Sequence, residues 1–319
     1  MATLNSTPDS FSDGSLHNSL PAAVSYATSS VAAGADIIDI GGYSTRPGAA
    51  YVSPEEEISR VVPIIQALRN QQQQQPGTTT TTTKLKDALI SVDTFRADVA
   101  KAAVLAGANC INDVYAFTGP GYPLTEASAD HLLSMRRVAR ELAVPVVLMH
   151  SRGDAGSNKD YSTYAGGAGM AVLEGIRVEL GDKVDAIVKG RNGVRRWFVI
   201  VDGGVGFSKD AEGNLDLLRD ASLITADISL TSDGGRPNPL AGYPQLVGAS
   251  RKSFLERILE QPDSGDGYKG RKTEARERGW ATAAAVACAV QQGALAVRVH
   301  DVMEMGDVVR VASALWGRR

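Results

Sequence analysis

The residues able to do chemistry keep recurring in one kind of place, the polar position just after a short apolar run. In QLVGASRKSFL (residues 245–255), Leu246 and Val247 end such a run, and Gly248 and Ala249 let the backbone turn. Ser250, Arg251, Lys252 and Ser253 then arrive together, ahead of Phe254 and Leu255. A strand entering a helix places those groups at the helix N-terminus, where free backbone N–H groups favour an anion. Alone, SRKS also reads as a solvated basic turn with a serine cap. The layout is repeated, however, by Asn5, Thr45 with Arg46, Asp93, Asn112 with Asp113, His150, Asp202, Lys252, and Arg298 with His300. A helix cap or a satisfied core polar group explains any one of them. It does not explain nearly all of them, because buried carboxylates and amides cost free energy unless something pairs with them.

The set divides by chemistry. Asp93, Asn112, Asp202 and Lys252 mix acceptors with donors, which suits the hydrogen-bonding edge of a flat heterocycle. Asn5, Arg46, Arg298 and His300 include no carboxylate and suit a phosphate or diphosphate. No Cys/His cluster has zinc spacing, and no Ser–His–acid triad emerges. One amide oxygen such as that of Asn5 suffices to complete an octahedral Mg²⁺ held mostly by water and phosphate.

The elements carrying these residues alternate. Strands are expected at residues 1–4, 35–40, 89–92, 109–111, 145–149, 197–201, in a run ending at Val247, and at 295–297. Helices are expected over 21–33, from the Ser53 cap onward with an apolar face from Ile58 to Leu68, and over 96–106, 128–142, 168–189 and 215–224. A further helix starts at Phe254, is interrupted over 262–270 and resumes over 274–292, and the last covers 302–315. Strand then helix, eight times, with strands apolar on both faces, is the pattern of an all-parallel sheet. With no Gly-x-Gly-x-x-Gly phosphate loop, the pattern favours a single (β/α)8 TIM barrel of α/β class, whose strand ends meet at one mouth.

Composition narrows the partners. The 319 residues are 43% hydrophobic and 6% aromatic with a formal net charge of −3, which gives no reason to expect nucleic acid or an anionic membrane as partner. No apolar run nears the roughly 18 residues of a membrane span, and no signal peptide is visible. Cys110 and Cys288, far apart, read as free thiols of a reducing compartment, cytoplasmic or mitochondrial. Residues 71–83, all Gln and Thr apart from Pro76 and Gly77, read as a disordered low-complexity insertion. The opening at Ala2-Thr3-Leu4-Asn5, a strand tail, suggests a chain cut from a longer polypeptide.

LNSTPDSFSDG, DIIDIGGYSTRPGA, ISVDTF, ANCINDV, PVVLMH, VDGGVGF, VGASRKSFL and VRVHDV, in that order from Leu4 to Val302, resemble the dihydropteroate synthase family. The insertion resembles the fungal type, in which this unit ends a multifunctional folate-synthesis protein. The resemblance implies condensation of 6-hydroxymethyl-7,8-dihydropterin diphosphate with p-aminobenzoate, giving dihydropteroate and diphosphate, with dissociative character. It implies pterin contacts from Asp93, Asn112, Met149, Asp202, Phe207 and Lys252. Diphosphate contacts would come from Asn5 with Mg²⁺, Arg46, Arg298 and His300. Aminobenzoate contacts would come from Phe11, Thr45, Arg46, Pro47, Phe207 and Ser253, and a homodimer through outer helices is expected. In this picture Asp93, Asp202, Lys252, Arg298 and His300 carry catalysis. One departure is Gly203, where the family usually has proline; it is expected to loosen that loop. Rival readings are a pterin-binding methyltransferase-type barrel, a Schiff-base aldolase using Lys252, and a pterin-binding module without catalysis. The first has no use for Thr45-Arg46-Pro47, the second wants a desolvated lysine, and the third needs no Asn5, Arg46 or His300.

Overall fold

Eight short strands form one parallel sheet in chain order: β1 (Ala2–Asn5), β2 (Ile37–Gly41), β3 (Leu89–Asp93), β4 (Cys110–Asp113), β5 (Val146–Met149), β6 (Val199–Asp202), β7 (Gln245–Val247) and β8 (Ala296–Val297). The computed structural model describes residues 1–6, 19–45, 48–74, 88–164, 170–229, 237–265 and 267–317. Phe11, Arg46 and Pro47 lie outside them. Beyond β8 the Val299 backbone bridges to Ala2, accepting from Thr3 N–H at 3.0 Å and donating to the Met1 carbonyl at 2.9 Å. The two ends of the curled sheet are thereby tied together.

The helices between strands are α1 (Leu20–Ala32), α2 (Pro54–Gln74), α3 (Ala97–Leu105), α4 (Glu126–Leu142), α5 (Met170–Val188), α6 (Ala211–Arg219), α7 (Ala221–Ile224), α8 (Ser253–Glu260), α9 (Gly279–Gln291) and α10 (Val302–Trp316). Their starts follow the local chemistry. Ser19 caps α1 by accepting from Ala22 N–H, and Asp210 caps α6 by accepting from Gly213 N–H at 2.8 Å. Helix α4 begins two residues earlier than expected because Thr125 and Ser128 satisfy each other's backbone donors. Fully buried Ile38, Ile40, Ile90, Ile111 and Leu148 belong to the core packed around the strands, each contributing ~1.5–3 kcal/mol.

Three local expectations need correction. Helix α2 runs through Gln74, so the first residues of the polar run are helical, in keeping with glutamine's good helix propensity; the rest of the insertion lies outside the described residues. Arg196–Phe198 is a 3-10 turn with Trp197 76% exposed, so β6 starts only at Val199. The helix expected over 215–224 is two, because Asp220 leaves helical geometry (φ −124°).

Strand register sets the site. Asn5 is opposite Gly41, Gly41 opposite Asp93, and Asp93 opposite Asn112, so four strand ends present one row. Met149 is opposite Asp202 on the next pair.

Candidate active site

A cavity of about 430 Å³ opens over the C-terminal strand ends. Asn5, Thr45, Asp93, Asn112, Met149, Asp202, Phe207, Lys252, Ser253, Arg298 and His300 all line it. The sequence-predicted constellation is thus brought to one place, apart from Asp113 and His150, which do not line the cavity, and Phe11, Arg46 and Pro47, which fall outside the described residues.

The floor is a charge network. Arg298 Nε donates to Asp39 Oδ2 at 2.6 Å and its Nη2 to Asp93 Oδ2 at 2.7 Å, while Asn112 Nδ2 donates to the same Asp39 oxygen at 3.0 Å. Burial pushes Asp93 up to about 7, against the pull of Arg298. Burial works against the Arg298 charge, but the Asp39 and Asp93 carboxylates outweigh it and hold the guanidinium above its ordinary range. Asp39, wholly buried, was not singled out from the sequence because it lies inside a strand rather than at its end. Its signal was present nonetheless: a lone carboxylate in the apolar run Ile37-Ile38-Asp39-Ile40 needs a cation somewhere.

One wall is apolar. Phe95, Val114, Tyr115 and Met149 form a small buried cluster, with Tyr43 and Phe207 packed against it. Phe95 meets both tyrosine rings edge-on, at 5.4 Å from Tyr43 and 5.3 Å from Tyr115. Lys252 Nζ lies 4.3 Å from the Phe207 ring centroid, a cation–π distance. Lys252 is the N-cap residue of α8 and Ser253 its first residue, so Ser253 stands at the helix N-terminus. On the other rim, His300 Nδ1 and Ser250 Oγ are 2.9 Å apart, and the His300 backbone N–H donates to that same hydroxyl. Arg251, at φ +60°, turns its guanidinium onto Asp301.

The turn after β6 is tighter than expected. A Cβ at Gly203 would meet Leu217 Cδ1 at 2.8 Å and Ile224 Cδ1 at 2.9 Å, so this glycine is packed under α6 and α7 rather than loose. Gly206, at φ +80°, lets Lys252 pass, since a Cβ there would stand 2.8 Å from Lys252 Cδ. Asp202 Oδ1 accepts from Gly204 N–H at 2.7 Å, and burial raises its pKa despite that bond and the Lys252 and Lys209 charges.

Behind this turn lies a buried polar chain that sequence reasoning missed except for His150. His150 does not line the cavity. Its Nε2 is 2.9 Å from Glu179 Oε2 and its Nδ1 is 3.2 Å from Lys209 Nζ. Burial and the Lys209 charge bring His150 down to about 3, so the ring is neutral. Burial would raise Glu179, but hydrogen bonds from His150 and Arg152 hold it well below the usual carboxylate range. Glu179 and Lys183 sit among apolar residues of α5, where the one legible signal was charge within a buried helix face.

Both cysteines are free thiols, and burial pushes Cys110 up to about 12, which disfavours a thiolate nucleophile. No helix among the described residues is long and apolar enough to cross a membrane.

Comparison with known proteins agrees with this geometry. Residues 1–300 match the family model described as pterin binding enzyme. A dihydropteroate synthase of Synechocystis is 39% identical over 99% of this chain and 89% of its own length. A folate synthesis bifunctional protein of Arabidopsis thaliana is 35% identical over the whole chain, which spans 57% of that relative. The Xanthomonas albilineans dihydropteroate synthase solved with 4-aminobenzoic acid superposes with a TM-score of 0.72 at 33% identity, covering all of this chain and 93% of that one. An ordered row of strand-end groups, an apolar wall and full-length similarity lead to the same conclusion: the chain belongs to the pterin-binding enzyme family, among its dihydropteroate synthases.

Proposed function

We propose that the protein condenses 6-hydroxymethyl-7,8-dihydropterin diphosphate with p-aminobenzoate, releasing diphosphate and forming 7,8-dihydropteroate for folate biosynthesis. The observation that carries this reading is the adjacency, in one cavity, of the Asp93–Asn112–Asp202–Lys252 set and the Asn5–Arg298–His300 set. The first offers a flat heterocycle acceptors and donors beside the Met149 and Phe207 wall. The second faces the group that leaves.

The mechanism follows from charge. As the bond to diphosphate lengthens, positive charge develops on the exocyclic carbon, and the carboxylates of Asp93 and Asp202 are placed to disperse it. Arg298 and His300 stabilise the negative charge on the departing oxygens, and Arg46 is assigned the same task. The aminobenzoate carboxylate sits at Ser253, at the start of α8, where free N–H groups favour an anion. Its amine then attacks the carbon and loses a proton, with Lys252 orienting the ring. Phe207, with Phe11, Thr45 and Pro47, encloses that ring and keeps water from the cationic centre. Sulfonamides share the aromatic amine outline and are expected to compete at this end.

Mg²⁺ belongs to the same proposal. No group of three or more His, Cys, Asp or Glu side chains able to hold a metal exists among the described residues, so an all-protein cage does not fit. A single oxygen donor from Asn5, with water and diphosphate supplying the rest, does fit, because Mg²⁺ keeps several waters and takes few protein ligands. When bound, it neutralises charge on the diphosphate.

Three finer points complete the reading. The sheet is taken as a closed (β/α)8 barrel, supported by the Val299 bridge to Ala2. The unit is taken as one part of a longer multifunctional protein of the fungal type, a reading that draws on folate synthesis relatives of which this chain spans 57% and 36% of the length. It is taken to act as a homodimer through outer helices, where Trp280 is 89% and Leu315 66% exposed. Incubation with both substrates, following dihydropteroate and diphosphate together, tests the activity. Pterin binding without either product would leave the methyltransferase-type or non-catalytic reading instead.

A further inference from the structure

Lys209 is 4% exposed, yet it lines the cavity beside Asp202 and Asn214. Its Nζ lies 3.1 Å from the Gly204 carbonyl, 3.0 Å from the Phe207 carbonyl and 3.2 Å from His150 Nδ1. Burial brings Lys209 down to about 7 against the pull of the Asp202 carboxylate, and in its protonated form the ammonium has three donors and no acceptor. All three are spent on the protein, so none is left for a substrate.

The histidine end is set as well. Nδ1 can accept from an ammonium only if the ring proton is on Nε2, which then donates to Glu179 Oε2 at 2.9 Å. Glu179 is fixed in turn by Arg152, at 2.6 Å from Nη2, and by the Tyr164 hydroxyl at 2.6 Å. The Arg152 guanidinium lies over the Tyr161 ring at 3.8 Å. A chain of charge-assisted bonds therefore runs from α5 to the turn after β6.

That turn holds two groups of the proposed reaction. Gly204 N–H orients the Asp202 carboxylate, and the Phe207 N–H closes back onto the Gly204 carbonyl at 3.0 Å. A Cβ at Gly204, which is at φ +72°, would stand 2.0 Å from the His150 carbonyl oxygen, so the turn rests directly on the end of β5. Any turn geometry that withdraws the Gly204 or Phe207 carbonyl leaves a buried cation underbonded, which is costly.

We propose that Lys209 is a positioning residue: its buried ammonium fixes the turn after β6, and through it Asp202 and Phe207, while Arg152, Glu179 and His150 fix Lys209. The proposal rests on the dihydropteroate synthase reading above. It is tested with Lys209→Met, which keeps the reach and apolar packing without the donors, and with Lys209→Ala supplied with n-propylammonium. Lys209→Met is expected to stay folded while kcat/KM for the dihydropterin diphosphate falls about 10- to 100-fold, as for lost charge-assisted hydrogen bonds. Its KM for aminobenzoate should rise as Phe207 drifts. Lys209→Ala should recover activity saturably with n-propylammonium and not with 1-propanol, a neutral molecule of similar size. Wild-type kinetics in Lys209→Met would overturn the proposal, as would equal rescue by 1-propanol. So would an activity loss matched entirely by a loss of folded protein, since that is a merely structural lysine. Absence of dihydropteroate synthesis by the wild type would instead refute the reading of function, so the two failures are distinguishable.

Discussion

Arg298 donates from Nη2 to Asp93 Oδ2 at 2.7 Å, so the guanidinium expected to face the departing anion is tied to a carboxylate expected to face the ring. The same guanidinium holds Asp39 at 2.6 Å, and Asp39 holds Asn112. The two halves of the site are therefore not independent. A diphosphate that draws on Arg298 weakens its hold on Asp93, so a change at the anion end is felt at the pterin end.

Arg298→Ala is accordingly expected to do two things. It should lower the single-turnover chemical rate about 10²- to 10³-fold, as removal of an oxyanion donor does, and it should also weaken binding of an uncharged pterin. The His300 ring is held instead at the Ser250 hydroxyl, so His300→Ala should lower the rate and leave that binding nearly intact. Calorimetry with the pterin alone separates them; equal pterin affinity in both variants would mean that the link through Asp93 carries no energy.

Asp93 also makes a prediction about pH. Its folded pKa is raised to about 7, above the ~3.9 of an unfolded aspartate. Between those values the folded state holds a proton that the unfolded state has released, so stability falls as pH rises through this window. Asp93→Asn removes the titration, and its unfolding free energy should vary less than that of the wild type between about pH 4 and 7. Denaturant melts at several pH values check this; parallel curves for the two proteins would contradict it.

The strand-end residues were legible because parallel strands aim their C-terminal ends at one mouth, and a polar residue after an apolar run can be read without coordinates. Asn5, Asp93, Asn112 and Asp202 are of this kind, and all line the cavity. Asp39, Lys209 and Glu179 were not, since their partners lie 259, 59 and 27 residues away at Arg298, His150 and Arg152. Spacing within a segment carries no trace of such pairs. Gly203 shows the opposite error: the residue type promises freedom, and only the packing of Leu217 and Ile224 above it shows why a small residue is needed.

Ser253→Ala should raise the aminobenzoate KM by about tenfold, the scale of one hydrogen bond to a charged group. Diphosphate release without aminobenzoate should be unchanged. Steady-state kinetics in both substrates checks this, and a fall in kcat with KM unaltered would remove Ser253 from the carboxylate end.

Replacing residues 75–83 with a short Gly/Ser linker should leave turnover and Tm close to wild type. The segment offers no apolar residue to the core, and halving a loop changes closure entropy by only about 0.6 kcal/mol. The cut begins at 75 because α2 extends through Gln74. A large loss of either quantity would mean that the segment packs.

Positive charge is expected to develop on the pterin carbon before the amine bonds, within a site that holds both ions. Single-turnover diphosphate release from 6-hydroxymethyl-7,8-dihydropterin diphosphate, with excess Mg²⁺ and with or without aminobenzoate, tests it most directly. Release is expected in the absence of aminobenzoate, slowed strongly by Arg298→Ala and untouched by Ser253→Ala. No release until aminobenzoate is added would contradict it and leave a concerted displacement, with Lys252 orienting the amine, as the mechanism.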